Sequence, residues 1–255
     1  MPDAPINRKV FFDTIRPDQF DGALSTGQVE GCERILAYRE EVWPGMPDNE
    51  LAYLLGTVKW ETGHSMQPVE EGFPMTGARL RAFQKSLRYY PFFGRGLVQI
   101  THASNYEKFG IKATPAKALE WPTALDICFR GMILGMFTGK RLSDYFAPDR
   151  EDWLNARRIV NGTDRAERIA DIARGFYAAI IAARAAPVEP ETPALPVPPL
   201  PPTPLPPTPL PPGPPAALVL GAAAVLGWLV IVGLLLGIRA EIQALPHPVP
   251  QARAK

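Results

Sequence analysis

Residues 51–61, LAYLLGTVKWE, are the stretch of sequence that decides the fold. The leucines and Val58 recur with the i, i+3, i+4, i+7 spacing of an amphipathic helix. At about 100° per residue, Glu61 lies seven positions beyond Leu54 and within about 20° of its direction. A carboxyl group therefore ends the apolar stripe, where partial removal from water suits the role of a general acid.

A second acidic position follows nine residues later, at Glu70. It cannot share a helix face with Glu61, because nine residues rotate a helix by about 180°. Gly63 and Pro68 also break the helix, so we expect the chain to turn and bring Glu70 back across a cleft. A gap of roughly 6.5–9.5 Å between two carboxylates admits an attacking water, as in inverting glycoside hydrolysis. Glu71 competes for the second role, and a helix-end charge beside a solvated pair is the non-catalytic alternative.

A glycine-flanked cation opens the next polar segment, residues 94–101 (GRGLVQIT). If this segment is extended, Val98 and Ile100 face the core while the polar residues between them face the other way. Their amide and hydroxyl groups are suited to hold a water or a sugar. A glycine-supported turn with a capping threonine is the structural alternative. The candidates for substrate contacts are Arg95, Gln99, Thr101, Asn105 and Tyr106, the last as an aromatic platform.

Two segments, WETGHSMQPVEE (60–71) and FFGRGLVQITHASNYEKFG (92–110), together resemble the family 19 glycoside hydrolases. These chitinase-like and phage-endolysin-like enzymes have lysozyme-type folds. Their acid is a glutamate in an H-E-T/S motif, and a later acidic residue is the base. The resemblance therefore implies that Glu61 is the acid and Glu70 the base.

The resemblance also implies roles for several polar residues. Gln99 and Thr101 would position the attacking water, and Asn105 would contact the sugar. The later segment ARRIVNGTD (156–164) resembles the family's A-R-x-I-N-G segment, so Asn161 would line the cleft. The three motifs occur in order, and the resemblance covers residues 24–183.

The sequence departs from the family pattern at two positions beside the acid. Trp60 stands where the family has histidine, and His64 replaces the usual second glycine. The disulfides of the plant enzymes are also lacking. The nine-residue spacing of the two acids resembles the bacterial and phage branch, which favours peptidoglycan over chitin as substrate.

The remaining pattern predicts a mainly α domain over residues 24–186, with one small hairpin at most. The resemblance makes it a lysozyme-like, two-lobed domain with a central cleft. Ser25 and Gln28 form a capping-box pattern before a helix, further helices are expected over 76–87 and 121–139, and Thr163 is a candidate cap for the last helix. That helix has an apolar stripe of Ile169, Ile172, Ala173, Phe176 and Ile180. Residues 1–23 read as a short extended lead-in without a secretory signal.

Composition excludes several classes of function. The net charge is +1, which gives no reason to expect a nucleic-acid partner. The two cysteines, Cys32 and Cys128, are expected to be buried thiols, and the three histidines are too scattered for a metal cluster. We expect neither a metal nor an organic cofactor.

The C-terminal quarter is a different kind of sequence. Residues 187–215 are proline-rich, with LPPTP repeated, and predict an extended polyproline II linker. Residues 216–238 carry no charge and, at about 35 Å as a helix, are long enough to cross a bilayer. Basic residues occur in the tail, 239–255, and not in the linker. The positive-inside rule then places the tail in the cytoplasm and the catalytic domain on the outer, periplasmic side.

Together these features predict a membrane-anchored enzyme that hydrolyses β-1,4 glycosidic bonds in a GlcNAc-containing polysaccharide by inversion. One alternative is a lytic transglycosylase or retaining lysozyme that uses Glu61 alone. The other is a non-catalytic, membrane-tethered module that binds the cell wall.

Overall fold

The computed structural model describes residues 4–187, and this part of the chain is mainly α, as predicted. Seven α-helices are joined by turns, short 3-10 helices and two antiparallel pairs of two-residue strands within the described residues. The α-helices are α1 (Arg8–Phe20), α2 (Thr26–Val42), α3 (Asp48–Glu61), α4 (Gly77–Ser86), α5 (Ala103–Lys108), α6 (Trp121–Ile133) and α7 (Ala166–Ala185). The strands are β1 (Val69–Glu70), β2 (Arg95–Gly96), β3 (Phe146–Ala147) and β4 (Arg150–Glu151), and the 3-10 helices are Pro115–Leu119, Leu142–Asp144 and Asn155–Ile159.

Helix α3 is the central element. Every residue from Leu51 to Lys59 is buried, so the helix is enclosed on all sides and not only along its leucine stripe. Its most extensive packing is against α7. Gly56 permits this close approach, because a methyl group there would lie 2.9 Å from Cα of Ala173. The buried helix carries Glu61 as its last residue.

Two of the local predictions for helices are confirmed. The Ser25 hydroxyl accepts a hydrogen bond from the Gln28 backbone N–H, and the Gln28 side chain accepts one from the Ser25 N–H, which completes the capping box of α2. Helix α4 lies within the predicted range 76–87. The cysteines are buried and unpaired, as expected for core thiols.

The prediction of an extended lead-in over residues 1–23 is wrong, because residues 8–20 form α1. Phe11, Ile15 and Phe20 of this helix are buried, and α1 packs along α7 with the Phe11 ring stacked on Phe176. The Lys59 ammonium group of α3 lies 5.0 Å from the centre of the Phe20 ring. The folded domain therefore begins before residue 24.

Helix α7 buries four of the five predicted stripe positions, with Ile172 only partly covered. The prediction that Thr163 caps it is wrong. Its N-cap is Arg165, in the left-handed conformation with φ 58°, and no side chain caps the first turn. Thr163 contributes only its carbonyl oxygen, which accepts from the Ala166 N–H.

The predicted linker beyond Pro187, the predicted membrane-spanning helix at 216–238 and the tail lie outside the described residues. Between residues 4 and 187, none of the helices has both the length and the apolar character needed to span a bilayer.

Candidate active site

Glu61 is held in the interior by an ion pair. Nη1 of Arg157 lies 2.6 Å from Oε1 of Glu61, and the two side chains are 3% and 6% exposed. Helix α3 ends at Glu61, and the chain turns immediately after it, as the sequence predicts. The carboxyl group therefore sits at a buried helix end with a fixed cationic partner.

Arg157 lies in the 3-10 helix Asn155–Ile159, and the motif 156–164 folds around it. Its Nε donates to the carbonyl oxygen of Asp164, while its own carbonyl oxygen accepts from the Asn161 N–H. The segment 156–164 therefore contacts Glu61 through Arg157, which was not among the site residues predicted from the sequence. The arginine of the family segment A-R-x-I-N-G was the available signal, since a buried carboxylate needs a cation.

Asn161 itself is partly exposed in the turn that follows. Its Oδ1 accepts a hydrogen bond from the N–H of Gly162 at 2.8 Å. The side-chain oxygen therefore stabilises the local turn, and the amide nitrogen is the group left to face a ligand.

Glu70 lies on β1, directly opposite Arg95 of β2. Arg81 of α4 approaches one carboxylate oxygen at 2.8 Å and Arg95 approaches the other at 3.8 Å, while 19% of the Glu70 side chain is exposed. Partial burial acts to raise the pKa of Glu70, but hydrogen bonds from Arg81 and Gln84 and the charges of both arginines outweigh it and hold the pKa below its usual value.

Glu71 has a different environment from its neighbour. One carboxylate oxygen accepts from the Tyr89 hydroxyl at 2.6 Å, and the other accepts from the Gly94 N–H at 2.7 Å. Its backbone also pairs with Gly94 and with the Gln84 side chain. Glu71 thus ties β1 to the segment before β2, whereas the Glu70 carboxylate interacts with guanidinium groups and the Gln84 amide.

The prediction that Tyr106 offers an aromatic platform is wrong, because its ring is fully buried. Its hydroxyl donates to the Phe93 carbonyl oxygen at 2.6 Å and accepts from Nη1 of Arg95. Burial raises the pKa of Tyr106 to about 12, against the opposing effect of the Arg95 charge. Arg95 is buried as well, with its guanidinium carbon 3.5 Å from the centre of the Phe93 ring. Tyr106 therefore holds Arg95, Arg95 lies beside Glu70, and neither residue offers a surface to a substrate.

The segment after Arg95 is a tight turn and not an extended strand. Arg95 and Ile100 exchange two backbone hydrogen bonds, and Gln99 between them has φ 51°. The Gln99 amide donates to the carbonyl oxygens of Val69 and Gly96, which fastens the turn to β1. Val98 and Ile100 are buried and Gln99 is partly exposed, so the predicted division of apolar and polar side chains is confirmed.

Thr101 and Asn105 continue this chain of local hydrogen bonds. The Thr101 hydroxyl donates to the Gln99 carbonyl oxygen at 2.8 Å, and the Asn105 amide donates to the Thr101 carbonyl oxygen at 2.9 Å. Their donors are thus engaged with the backbone. The oxygen atoms of these side chains keep lone pairs that can accept hydrogen bonds from a ligand.

The loop after Glu61 and the turn after Glu70 touch each other. A methyl group on Gly63 would lie 3.6 Å from the Phe73 ring, and the Phe73 N–H donates to the Glu70 carbonyl oxygen. Gly63, two residues after Glu61, and Phe73, three residues after Glu70, are therefore neighbours. This contact brings the two predicted acidic residues into one region of the molecule.

Among the described residues, no group of three or more histidine, cysteine, aspartate or glutamate side chains is arranged to hold a metal ion. No protein-family model, curated protein or solved structure matches this chain.

Proposed function

We propose that this protein is a glycoside hydrolase with a lysozyme-like, two-lobed domain that cleaves β-1,4 bonds of a GlcNAc-containing polysaccharide. Peptidoglycan is the favoured substrate and chitin the second. The observation that carries the proposal is the proximity of Gly63 to Phe73, which brings Glu61 at the end of α3 and Glu70 on β1 into one region. Two carboxyl groups in one region are what the acid and the base of glycoside hydrolysis require.

In the proposed reaction, the carboxylic acid form of Glu61, whose Oε1 still accepts the hydrogen bond from Arg157, donates its proton to the glycosidic oxygen as the bond to the anomeric carbon breaks. Glu70 accepts a proton from a water molecule, whose oxygen forms the new bond to that carbon from the opposite face. The configuration at the anomeric carbon is inverted. Arg157 orients the Glu61 carboxyl group, and the two carboxyl groups are expected to lie roughly 6.5–9.5 Å apart.

The electrostatics of Glu70 support the role of base. Its lowered pKa keeps the carboxylate ionised in neutral and mildly acidic solution. Arg81, whose side chain is 57% exposed, can move away from Glu70 when substrate and water enter. The oxygen atoms of Gln99 and Thr101 accept the second hydrogen bond of the attacking water, since their donors are held by the backbone.

The proposal extends to the place of action. The uncharged segment 216–238 anchors the protein in a membrane, the proline-rich segment 187–215 spaces the enzyme from the bilayer, and the catalytic domain acts on the outer side. An endolysin-like role in degrading the cell wall fits this arrangement.

A second candidate function is a wall-binding module without catalysis. The ion pair with Arg157 favours it, because a buried charge pair accounts for Glu61 in purely structural terms. A lytic transglycosylase that uses Glu61 alone is the third candidate.

One experiment separates all three functions. The purified full-length chain in mild detergent is incubated with peptidoglycan and with chitin oligomers in water enriched in ¹⁸O. An inverting hydrolase gives reducing ends that carry one ¹⁸O and are first formed as the α-anomer. A transglycosylase gives an anhydro sugar without ¹⁸O, and a binding module gives no new ends. Glu61→Gln is the control, and its new ends should fall to background if the proposal holds.

A further inference from the structure

Residues 72–106 form the most one-sided charged segment of the described chain. They contain no aspartate or glutamate, although the whole protein has nearly equal numbers of acidic and basic residues. The segment lies between the two glutamates at 70–71 and Glu107, and it includes α4. Its five cations are Arg79, Arg81, Lys85, Arg88 and Arg95.

Three of these cations follow one flank of α4. Arg81 and Lys85 are four residues apart and therefore neighbours on the helix surface, and Arg88 follows in the turn after the helix ends. Arg81 binds Glu70, so the row starts at the proposed base and leads away from it. Lys85 and Arg88 are exposed, and neither has an ion-pair partner within residues 4–187.

An exposed aromatic residue, Tyr90, follows this row two positions after Arg88. Tyr90 is 49% exposed and stacks on Phe93, with ring centroids 6.2 Å apart and planes within 24°. Phe93 in turn carries the Arg95 guanidinium group, which reaches Glu70. The protein thus holds one face of Tyr90 in a fixed stack that ends at Glu70.

We propose that Tyr90, Lys85 and Arg88 form a substrate subsite beside Glu70 that recognises a sugar whose peptide substituent bears a carboxylate. This proposal rests on the proposed glycosidase function and names the substrate class. The sugar ring stacks on the open part of Tyr90, and its carboxylate lies between the two cations. Peptidoglycan carries such carboxylates on its stem peptides, whereas chitin is neutral. The subsite therefore selects peptidoglycan.

The test compares Lys85→Gln/Arg88→Gln, Tyr90→Ala and the control Arg79→Gln in the full-length chain. Arg79 is an exposed arginine on the same helix, rotated by about 200° from Arg81, so it matches the charge change without facing the row. The substrates are native peptidoglycan, the same peptidoglycan with its stem carboxylates amidated, and a neutral chitin hexamer.

The double variant should lower kcat/KM on native peptidoglycan about tenfold more than on the chitin hexamer, since two charge pairs are lost. Amidation of the stem carboxylates should remove most of the difference in kcat/KM between the wild-type protein and the double variant. Raised salt should reduce the same difference on native peptidoglycan, because exposed charges are screened. Tyr90→Ala should lower kcat/KM on both substrates about threefold to tenfold, since stacking does not depend on charge. Arg79→Gln should behave as wild type.

Equal losses on native and amidated peptidoglycan, or the same loss in Arg79→Gln, would overturn the subsite and leave the glycosidase function standing. If the wild-type protein releases no product from any substrate, the proposed function fails instead. Co-sedimentation with the two peptidoglycans then tests the subsite by itself. A preference for the native form that disappears in the double variant supports it, and equal sedimentation of both forms overturns it.

Discussion

Arg157 donates from Nη1 to Oε1 of Glu61 across 2.6 Å, in a contact that joins residues 96 positions apart in the sequence. Both side chains are buried, so each is the main compensation for the charge of the other. Removing one partner of such a pair costs about 3–5 kcal/mol, because the remaining charge stays uncompensated in the interior. The pair therefore links the segment 156–164 to Glu61, the proposed acid.

Glu61→Gln should abolish turnover while the protein stays folded. The amide cannot supply a proton as an acid does, and general-acid catalysis contributes about 10²–10⁴-fold to the rate. Its Oε1 still accepts a hydrogen bond from Arg157, so the loss of stability should be smaller than in Arg157→Ala. Release of reducing ends and unfolding in urea measure the two effects. A rate above a tenth of the wild-type value would contradict the role of Glu61.

Glu50→Gln provides the matched control on the same helix, because Glu50 is the other buried glutamate of α3. Burial raises its pKa to about 7 from 4.5. The folded state then holds a proton that the unfolded chain releases, so Glu50 makes stability fall as pH rises from about 4.5 to about 7. Glu50→Gln should remove the part of this fall in stability that Glu50 causes, which urea midpoints at pH 5 and pH 8 will measure. The variant should keep full activity. A slope equal to that of the wild type would contradict the assignment.

The features that the sequence predicted correctly are those that depend on residues close together in the chain. The capping box of α2, the extent of α4, the end of α3 at Glu61 and the buried side of α7 all follow from residues three or four apart. Helix α1 was missed because Pro17, a residue that usually breaks helices, lies inside it and because its buried residues find their partners on α7, at the other end of the domain. No local pattern reveals such a partner.

The roles of Tyr106 and Arg157 also depend on partners that a local sequence pattern does not reveal. Tyr106 looks like a surface platform in the sequence, but its ring and hydroxyl serve to hold the buried Arg95. Arg157 looks like one of several basic residues in a polar segment, yet among the described residues it is the cation that pairs with Glu61. Long-range pairing decided both roles. The distinction between Glu70 and Glu71 also needed the positions of Tyr89 and Gly94, which lie far along the chain from both glutamates.

Glu70→Ala and Glu71→Ala should fail in different ways. Glu70→Ala should lose about 10²–10⁴-fold in activity. Its loss of stability should be limited, because Arg81 is exposed and the buried Arg95, 3.8 Å away, keeps its hydrogen bonds to the carbonyl oxygens of Pro91 and Phe93. Azide should restore part of this activity by replacing the activated water. Glu71→Ala should lower the free energy of unfolding by about 1.5–3 kcal/mol for each hydrogen bond to the carboxylate that is lost.

Tyr89→Phe is the matched variant for Glu71, since it removes one of the two bonds and leaves the carboxylate in place. It should show about half the loss of stability of Glu71→Ala and no response to azide. Azide rescue of Glu71→Ala, with none for Glu70→Ala, would assign the base to Glu71.

Arg81→Gln should move the acidic limb of the pH–rate profile to higher pH. Burial acts to raise the pKa of Glu70, and Arg81 is the strongest of the groups that lower it. Without the cation the proposed base takes up its proton at a higher pH and becomes inactive sooner as the solution is acidified. The profile of kcat/KM between pH 3 and pH 7 measures the shift. Arg79→Gln is the control, and an unmoved limb in Arg81→Gln would mean that Glu70 does not govern it.

Two truncations test the division of the chain into a catalytic domain, a linker and a membrane anchor. A protein that ends at Pro187 keeps every described element, including the hydrogen bond from the Asn7 amide to the Pro187 carbonyl oxygen. A protein that also lacks residues 1–23 loses α1, and with it the cover over Phe176 and the aromatic contact of Lys59. Loss of three buried aromatic and aliphatic side chains, each contributing about 1.5–3 kcal/mol, exceeds what a marginally stable domain tolerates.

The chain that ends at Pro187 should therefore be soluble, folded and as active per molecule as the full-length protein on small oligomers. The shorter chain without residues 1–23 should be unfolded or insoluble, which circular dichroism and gel filtration will show. The full-length protein should sediment with membranes and resist alkaline extraction, because residues 216–238 form the only stretch without charge long enough to need lipid. A full-length protein that stays in the supernatant would remove the anchor from the proposal. Aggregation of the chain ending at Pro187 would instead show that residues beyond it are part of the folded domain.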